Sequence, residues 1–176
     1  MTRDEEVRPT LGGSEPSGAY RSVQTVAVPG IQTGSYSLAR TAAGVLYVSG
    51  MIPVDADGRL VSTYARLPPG VESQLRTGVL PTDLRDERIV CQAWAVYDGI
   101  RKVLEFCGSS LQQILRQRIY LVDLGEFYGL ERVRNHVFGA EPPPTTTVGV
   151  TGLVIPDVRL EIEVEAMVEG LELDRA

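Results

Sequence analysis

The amino-acid sequence predicts one α+β domain in which two helices cover one face of a mixed β-sheet, in the order β-β-β-α-β-α-β-β. The clearest evidence is the alternation of apolar and acidic residues along 160–166, which is typical of a strand with one covered face. A second observation is an apolar repeat at spacings of three and four along 89–104, which predicts a long amphipathic helix. Glycine- and proline-rich turns separate the shorter strand-like segments.

The length of 176 residues suits a single domain with its own core. We expect a flexible N-terminal tail over 1–20, a domain over 21–170, and a short C-terminal tail over 171–176. Within the domain, 61–85 is the least regular stretch, because prolines and glycines interrupt it. This insertion is either a functional lid or interface arm, or a tolerated surface loop.

The first half of the domain reads as strands. A short strand is predicted over 24–28, and a hairpin over 37–41 and 45–49 with its turn at Ala42-Ala43-Gly44. The long helix then follows, with Asp86 as its predicted cap and Gly108 just past its end.

The second half adds a helix and the closing strands. A strand is predicted over 118–123, a second helix over 126–138, and two final strands over 146–150 and 159–168.

Three acids project from one face of the final strand. Alternation directs Leu160, Ile162, Val164 and Ala166 towards the helices, so the residues between them face away. The side chains that we expect on this uncovered face are Glu161, Glu163 and Glu165, with Thr145, Thr147 and Gly149 if the last two strands are neighbours. Such a face is either solvated or packed against another subunit.

Composition excludes several classes of function. A net charge of −6 argues against nucleic acid as a main partner, because phosphate binding needs a basic surface. No apolar run approaches the length of a membrane span, and the first residues lack the core of a secretory signal. Cys91 and Cys107 are the only cysteines and suit buried thiols in the cytoplasm. With a single His, they do not make a zinc site, and we expect no metal or other cofactor.

Several segments, in this order along 24–168, resemble the Rid/YjgF family of small trimeric proteins. The matching segments are 34–37, 46–53, 108–111, 120–124, 138–139, 143–150 and 160–163. Well-known members of that family hydrolyse reactive enamines and imines to ketones and ammonia. The resemblance implies a chorismate-mutase-like fold and a homotrimer with the sheets inward and clefts between the subunits.

The resemblance also assigns roles to individual residues. It implies that Glu161 holds the attacking water, that Tyr36 lines the cleft, and that Gly50 brings the backbone close to the ligand. Met51 stands where the family often has Gln. Thr145 stands where deaminating members carry an Arg that clamps the substrate carboxylate, a bidentate contact that Thr cannot copy.

Each of these residues also has a plainer interpretation. Glu161 can exchange protons with water in a cleft, or it can be a solvated acid on a sheet. Tyr36 can donate its hydroxyl to a ligand or simply pack in the hairpin. Thr145 and Thr147 can bind a neutral ligand, or they can be ordinary strand formers.

Charged residues elsewhere leave two further questions. The repulsion between Glu163 and Glu165 calls for solvent, an interface or an Arg from a neighbouring chain. Arg66, Arg76 or Arg85 of the insertion can supply a replacement cation for the missing clamp.

Two functional hypotheses follow. The first is a Rid-like hydrolase or deaminase of a small imine, enamine or related metabolite, with Glu161 activating water. The alternative is a non-catalytic trimer that binds a small molecule. A ribonuclease is a third, weaker hypothesis, because the chain is acidic.

Overall fold

A computed structural model describes residues 24–28, 31 and 35–168 of the chain. The strands form one mixed sheet in the order β1-β2-β3-β6-β4-β5. They are β1 (Gln24–Val26), β2 (Ala39–Ala42), β3 (Val45–Met51), β4 (Ile114–Leu121), β5 (Thr145–Gly149) and β6 (Leu160–Met167). The helices are α1 (Val71–Leu75), α2 (Leu80–Phe106) and α3 (Phe127–Phe138). The predicted α+β class is confirmed, and the predicted element order holds with α1 as one additional short helix. The predicted tails lie outside the described residues.

The core lies between the sheet and the long helices. On β6, Leu160, Ile162, Val164 and Ala166 are buried, as the alternation predicted. The long helices cross closely at Gly129, where an added Cβ would lie 2.6 Å from Cγ2 of Ile89. In the described part of the chain, no helix is both long and apolar enough to cross a bilayer.

The hairpin turn and the end of the long helix follow their sequence signals. Ala43 and Gly44 have φ angles of 52° and 80°, which suit a two-residue turn between antiparallel strands. Gly108, one residue past the C-cap Cys107, has a φ angle of 73°, as expected for a glycine that ends a helix.

The start of the long helix was predicted wrongly. Helix α2 begins at Leu80 rather than after Asp86, and Pro81 stands in its first turn, where a missing N–H costs nothing. Asp83 accepts hydrogen bonds from the backbone N–H groups of Thr77 and Gly78, and so fixes the turn before the helix. Asp86 is buried inside the helix rather than capping it.

The insertion packs against the helix layer and is more regular than predicted. It contains α1 and a single 3₁₀ turn at Tyr64–Arg66. Leu75 is fully buried, and its carbonyl accepts a hydrogen bond of 3.2 Å from Arg132 of α3. Within one chain, this segment therefore lies against α3, behind the sheet, and does not cover the open face.

The facing expected for β5 depended on β5 and β6 being neighbours, and they are not. The strand pairs in parallel with β4, in a register that places Thr145 beside Gln117 and Thr147 beside Ile119. Gln117 and Ile119 are buried under the helices, so Thr145, Thr147 and Gly149 share the covered face. Strand β4 separates β5 from β6, and this neighbour sets the facing of β5.

Candidate active site

Glu161 and Gly50 are in direct contact on the uncovered face of the sheet. The register of β3 against β6 shifts between Val48 and Met51, which marks a bulge that contains Gly50. A Cβ added to Gly50 would lie 1.7 Å from Oε1 of Glu161 and 2.6 Å from its Cδ. The carboxyl group thus occupies the space that any side chain at position 50 would need, so the site requires glycine there.

The environment of Glu161 favours its protonated form. Burial raises the pKa of its carboxyl group, and the adjacent charge of Glu163 raises this pKa further. Among the described residues, Glu161 has no salt-bridge partner. A carboxyl group of this kind can accept a proton from water and return it within one reaction cycle.

The other two acids of β6 share one cation within the chain. Arg118 of β4 binds Glu163 through one terminal nitrogen at 2.5 Å and Glu165 through the other at 3.1 Å. The expectation of an Arg from a neighbouring chain is therefore not needed to explain this pair. The three acids differ because Glu161 is the one without a salt-bridge partner among the described residues.

Tyr120 lies directly across from Glu161 in the pairing of β4 with β6. Burial and the charge of Glu163 raise the pKa of its hydroxyl group, which stays protonated and able to donate. Sequence reasoning missed both Tyr120 and Arg118. The signal was present, because residues two positions apart on a strand such as β4 point to the same face of the sheet.

Tyr36 is exposed near the bulge. The hydroxyl group of Ser49 donates a hydrogen bond of 2.8 Å to the carbonyl of Ser37, which ties the segment before β2 to the residue beside Gly50. Tyr36 and Ser49 both line an open cavity of about 740 Å³. The structure thus places the Tyr36 segment near Gly50, and the role of its hydroxyl group stays a prediction.

The side chain of Met51 faces away from Glu161. It is buried against α2, where a Cβ added to Gly99 would lie 3.1 Å from its Cε. Any contribution of Met51 to a ligand beside Glu161 would therefore come from its backbone.

The hydroxyl group of Thr145 is fully occupied inside the chain. It donates to the carbonyl of Pro143 at 2.7 Å and accepts from Nε2 of Gln117 and a terminal nitrogen of Arg134, both at 2.8 Å. Arg134 in turn pairs with Glu131. Because a hydroxyl group has one proton and two lone pairs, Thr145 has nothing left to offer a ligand in this arrangement.

One chain does not bring all the predicted site residues together. Glu161 and Gly50 lie on the uncovered face, whereas Thr145 and Thr147 lie on the covered face. In addition, β4 separates β6 from β5, a lateral distance of about 10 Å. A small ligand at Glu161 therefore cannot reach the hydroxyl group of Thr145 in the same chain.

The arginines proposed as replacement cations are engaged elsewhere. They form ion pairs of 2.7 Å each, Arg66 with Asp55, Arg76 with Glu72 and Arg85 with Asp86.

The single histidine and the two cysteines lie away from Glu161 or are buried. His136 lies on α3 beside a cavity of about 240 Å³ that Trp94 also lines, and Glu161 is not among the residues of that cavity. Cys91 and Cys107 are buried and free, as predicted, and burial raises the pKa of Cys91 to about 12. Within the described residues, no three His, Cys, Asp or Glu side chains are grouped to hold a metal ion.

Comparisons with known proteins give a consistent result. Residues 74–168 match the model of the family described as Endoribonuclease L-PSP. A RutC family protein of Pyrococcus horikoshii is 29% identical over 137 residues, which cover 77% of this chain and 89% of that protein.

Solved structures resemble the fold over most of its length. A candidate endoribonuclease from Klebsiella pneumoniae has a TM-score of 0.70 at 29% identity, covering 76% of this chain and 99% of that one. The structure of yeast Mmf1 has a TM-score of 0.65 at 26% identity, covering 84% of this chain and all of that one.

Proposed function

Because this chain belongs to the Endoribonuclease L-PSP family, also called Rid/YjgF, we propose that it is a hydrolase of small imines, enamines or related metabolites. The observation that carries the proposal is the state of Glu161. It is the one acid of β6 that lies against a glycine bulge without a cation, in an environment that raises its pKa. This is the environment that a general acid/base needs.

The reaction can be written with Glu161 as the single proton carrier. Its carboxylate accepts a proton from water while the water oxygen bonds to the carbon of a protonated imine, which gives a carbinolamine. The carboxylic acid then protonates the carbinolamine nitrogen. The C–N bond breaks, the C=O bond forms, and the hydroxyl proton leaves with ammonia as ammonium. One imine cation and one water thus give one carbonyl compound and one ammonium ion.

The substrate that we propose is not held by an Arg–carboxylate pair. The position aligned with that Arg is Thr145, whose hydroxyl group is saturated by its own chain. Glu161 has no cation partner among the described residues, so its carboxylate form places a negative charge at the bulge. A neutral imine, or its protonated cation, suits such a surface better than an anionic imine.

We propose that the active assembly is a homotrimer with the uncovered sheet faces inward. Large apolar side chains on this face are exposed in the single chain; they are Tyr47, Val148 and Met167. A second chain would cover them and would also provide a Thr145 region next to the Glu161 of its neighbour.

The alternative function is a trimer that binds a small molecule without transforming it. The saturated hydroxyl group of Thr145 favours this alternative, since it leaves the clamp position without a ligand-binding group. It predicts a ligand that raises the melting temperature and is recovered chemically unchanged.

The deciding experiment supplies the purified protein with a panel of freshly generated imines and measures ammonia release. We expect the wild type to exceed the buffer rate, and Glu161→Gln to lose about 100-fold or more of that excess. A panel on which the wild type never exceeds the buffer rate would refute the hydrolase. Incubation of the same preparation with RNA tests the ribonuclease that the family description names, and we expect no cleavage that depends on Glu161.

A further inference from the structure

We propose that Arg118 is a positioning residue that acts on Glu161 through Glu163: its ion pair with Glu163 weakens the repulsion that Glu163 exerts on the Glu161 carboxylate. This inference rests on the proposed function, because it treats Glu161 as the working acid/base. The geometry is a chain of three groups on the uncovered face. Arg118 binds Glu163 at 2.5 Å, and Glu163 stands two residues from Glu161 on the same face of β6.

The spacing makes Glu161 sensitive to the charge of Glu163. On a strand, side chains two residues apart start about 7 Å from each other and point to the same side of the sheet. A carboxylate at that separation disfavours the ionisation of its neighbour. Arg118 offsets this repulsion without binding Glu161 itself, so the Glu161 carboxylate stays available to water.

The groups that face Glu161 from β4 and β6 are few. Glu163 lies beside it on β6, with Glu165 beyond. Tyr120 lies across from it on β4, followed along the same face by Arg118 opposite Glu163 and by Arg116 opposite Glu165.

The bulge and the start of β6 add no free charge at this point. Gly50 of β3 has no side chain, and the titratable residue of β3 on this face, Tyr47, stands opposite Glu165. Arg159, two residues before Glu161, directs its guanidinium to Glu126 at 2.9 Å and to Asp123 at 3.7 Å. Among the described residues, the cation that pairs with Glu163 is therefore Arg118.

The test is a carbon-detected NMR titration of the Glu161 carboxyl group in the full chain, assigned with Glu161→Gln. Arg118→Gln is expected to raise the titration midpoint by about half a pH unit or more, and Glu163→Gln to lower it. The double variant Arg118→Gln/Glu163→Gln should have a lower midpoint than Arg118→Gln, because the charge of Glu163 is gone.

Two further variants control the experiment. Arg118→Lys keeps the positive charge and is expected to titrate close to wild type, which provides a readout if Arg118→Gln folds poorly. Arg101→Gln removes an exposed cation that pairs with Asp98 and Glu105 of α2, and should leave the midpoint unchanged.

An unchanged midpoint in Arg118→Gln would overturn the inference. A double variant whose midpoint is shifted as far as that of Arg118→Gln would overturn it too. The titration does not depend on turnover, so it separates the two proposals. A shifted midpoint in a protein that hydrolyses no imine would uphold the role of Arg118 and refute the hydrolase. An active enzyme with an unshifted midpoint would do the reverse.

Discussion

At the scale of single residues, chemically identical acids on β6 become different through their neighbours. Glu163 and Glu165 share the guanidinium of Arg118, whereas Glu161 lies over Gly50 with no cation among the described residues. The sequence alone identifies the row of acids. It does not show which acid stays uncompensated, because this depends on the register of β4 against β6.

Gly50→Ala tests the close contact at the bulge. The new Cβ would fall 1.7 Å from the Oε1 position of Glu161, so the carboxyl group must move. We expect imine hydrolysis to fall at least about tenfold while the circular dichroism spectrum stays native. Gly152→Ala is the matched control, since an added Cβ there has nothing within 4 Å. Wild-type rates in Gly50→Ala would show that the placement of Glu161 does not matter.

The raised pKa of Glu161 predicts a stability effect with a definite sign. A folded pKa above the ordinary value of 4.5 means that the folded chain binds this proton more tightly than the unfolded chain. That stabilisation is fully present at a pH below the ordinary pKa, and it is lost as the pH rises through the pKa of the folded chain. Glu161→Gln cannot ionise, so it should melt at a higher temperature than wild type at pH 7, with the difference vanishing in acid.

Melting curves between about pH 4 and pH 8 check this expectation. Glu105→Gln, on the exposed end of α2, serves as the control and should show no gain at neutral pH. A Glu161→Gln variant that is no more stable than wild type at pH 7 would contradict the burial of this carboxyl group.

At the scale of elements, alternation and apolar spacing predict what depends on local pattern. The order of strands and helices, the turn at Ala43-Gly44 and the end of α2 at Gly108 follow from such signals. The start of α2 is harder to predict, because a proline such as Pro81 interrupts a helix in most positions and yet is favoured in a first helical turn. The facing of β5 depends on its neighbour β4, which no local pattern encodes.

The insertion is predicted to contribute to the core through Leu75. This side chain of α1 is fully buried in the core, so Leu75→Ala should leave a cavity. We expect the free energy of unfolding to fall by about 2–5 kcal/mol in urea titrations. Gln74→Ala, on the exposed side of the same short helix, should change it by about 0.5 kcal/mol or less. A harmless Leu75→Ala would mean that the insertion is a detachable surface loop.

At the scale of the whole molecule, the predicted site is divided between the two faces of one sheet. Glu161 and Gly50 lie on the uncovered face, and Thr145 lies on the covered face beside the edge of the sheet. The resemblance identified these residues without showing this division. Only a neighbouring chain can bring a Thr145 region to a Glu161 in one cleft, so we expect the assembly and the site to be linked.

Sedimentation velocity at micromolar concentration tests the assembly. We expect the wild type to sediment as a trimer and Tyr47→Asp, which places a charge on the uncovered face, to sediment as a monomer. Phe106→Asp adds the same charge at the exposed end of α2 and should leave the trimer intact. A monomeric wild type would exclude a cleft between subunits.

We propose that Glu161, alone among the acids of β6, handles the water of an imine hydrolysis. The most direct measurement compares ammonia release by Glu161→Gln and Glu165→Gln on the imine that the wild type consumes fastest. We predict a loss of about 100-fold or more for Glu161→Gln and less than about tenfold for Glu165→Gln. Equal losses in the two variants, or full activity in Glu161→Gln, would contradict the account.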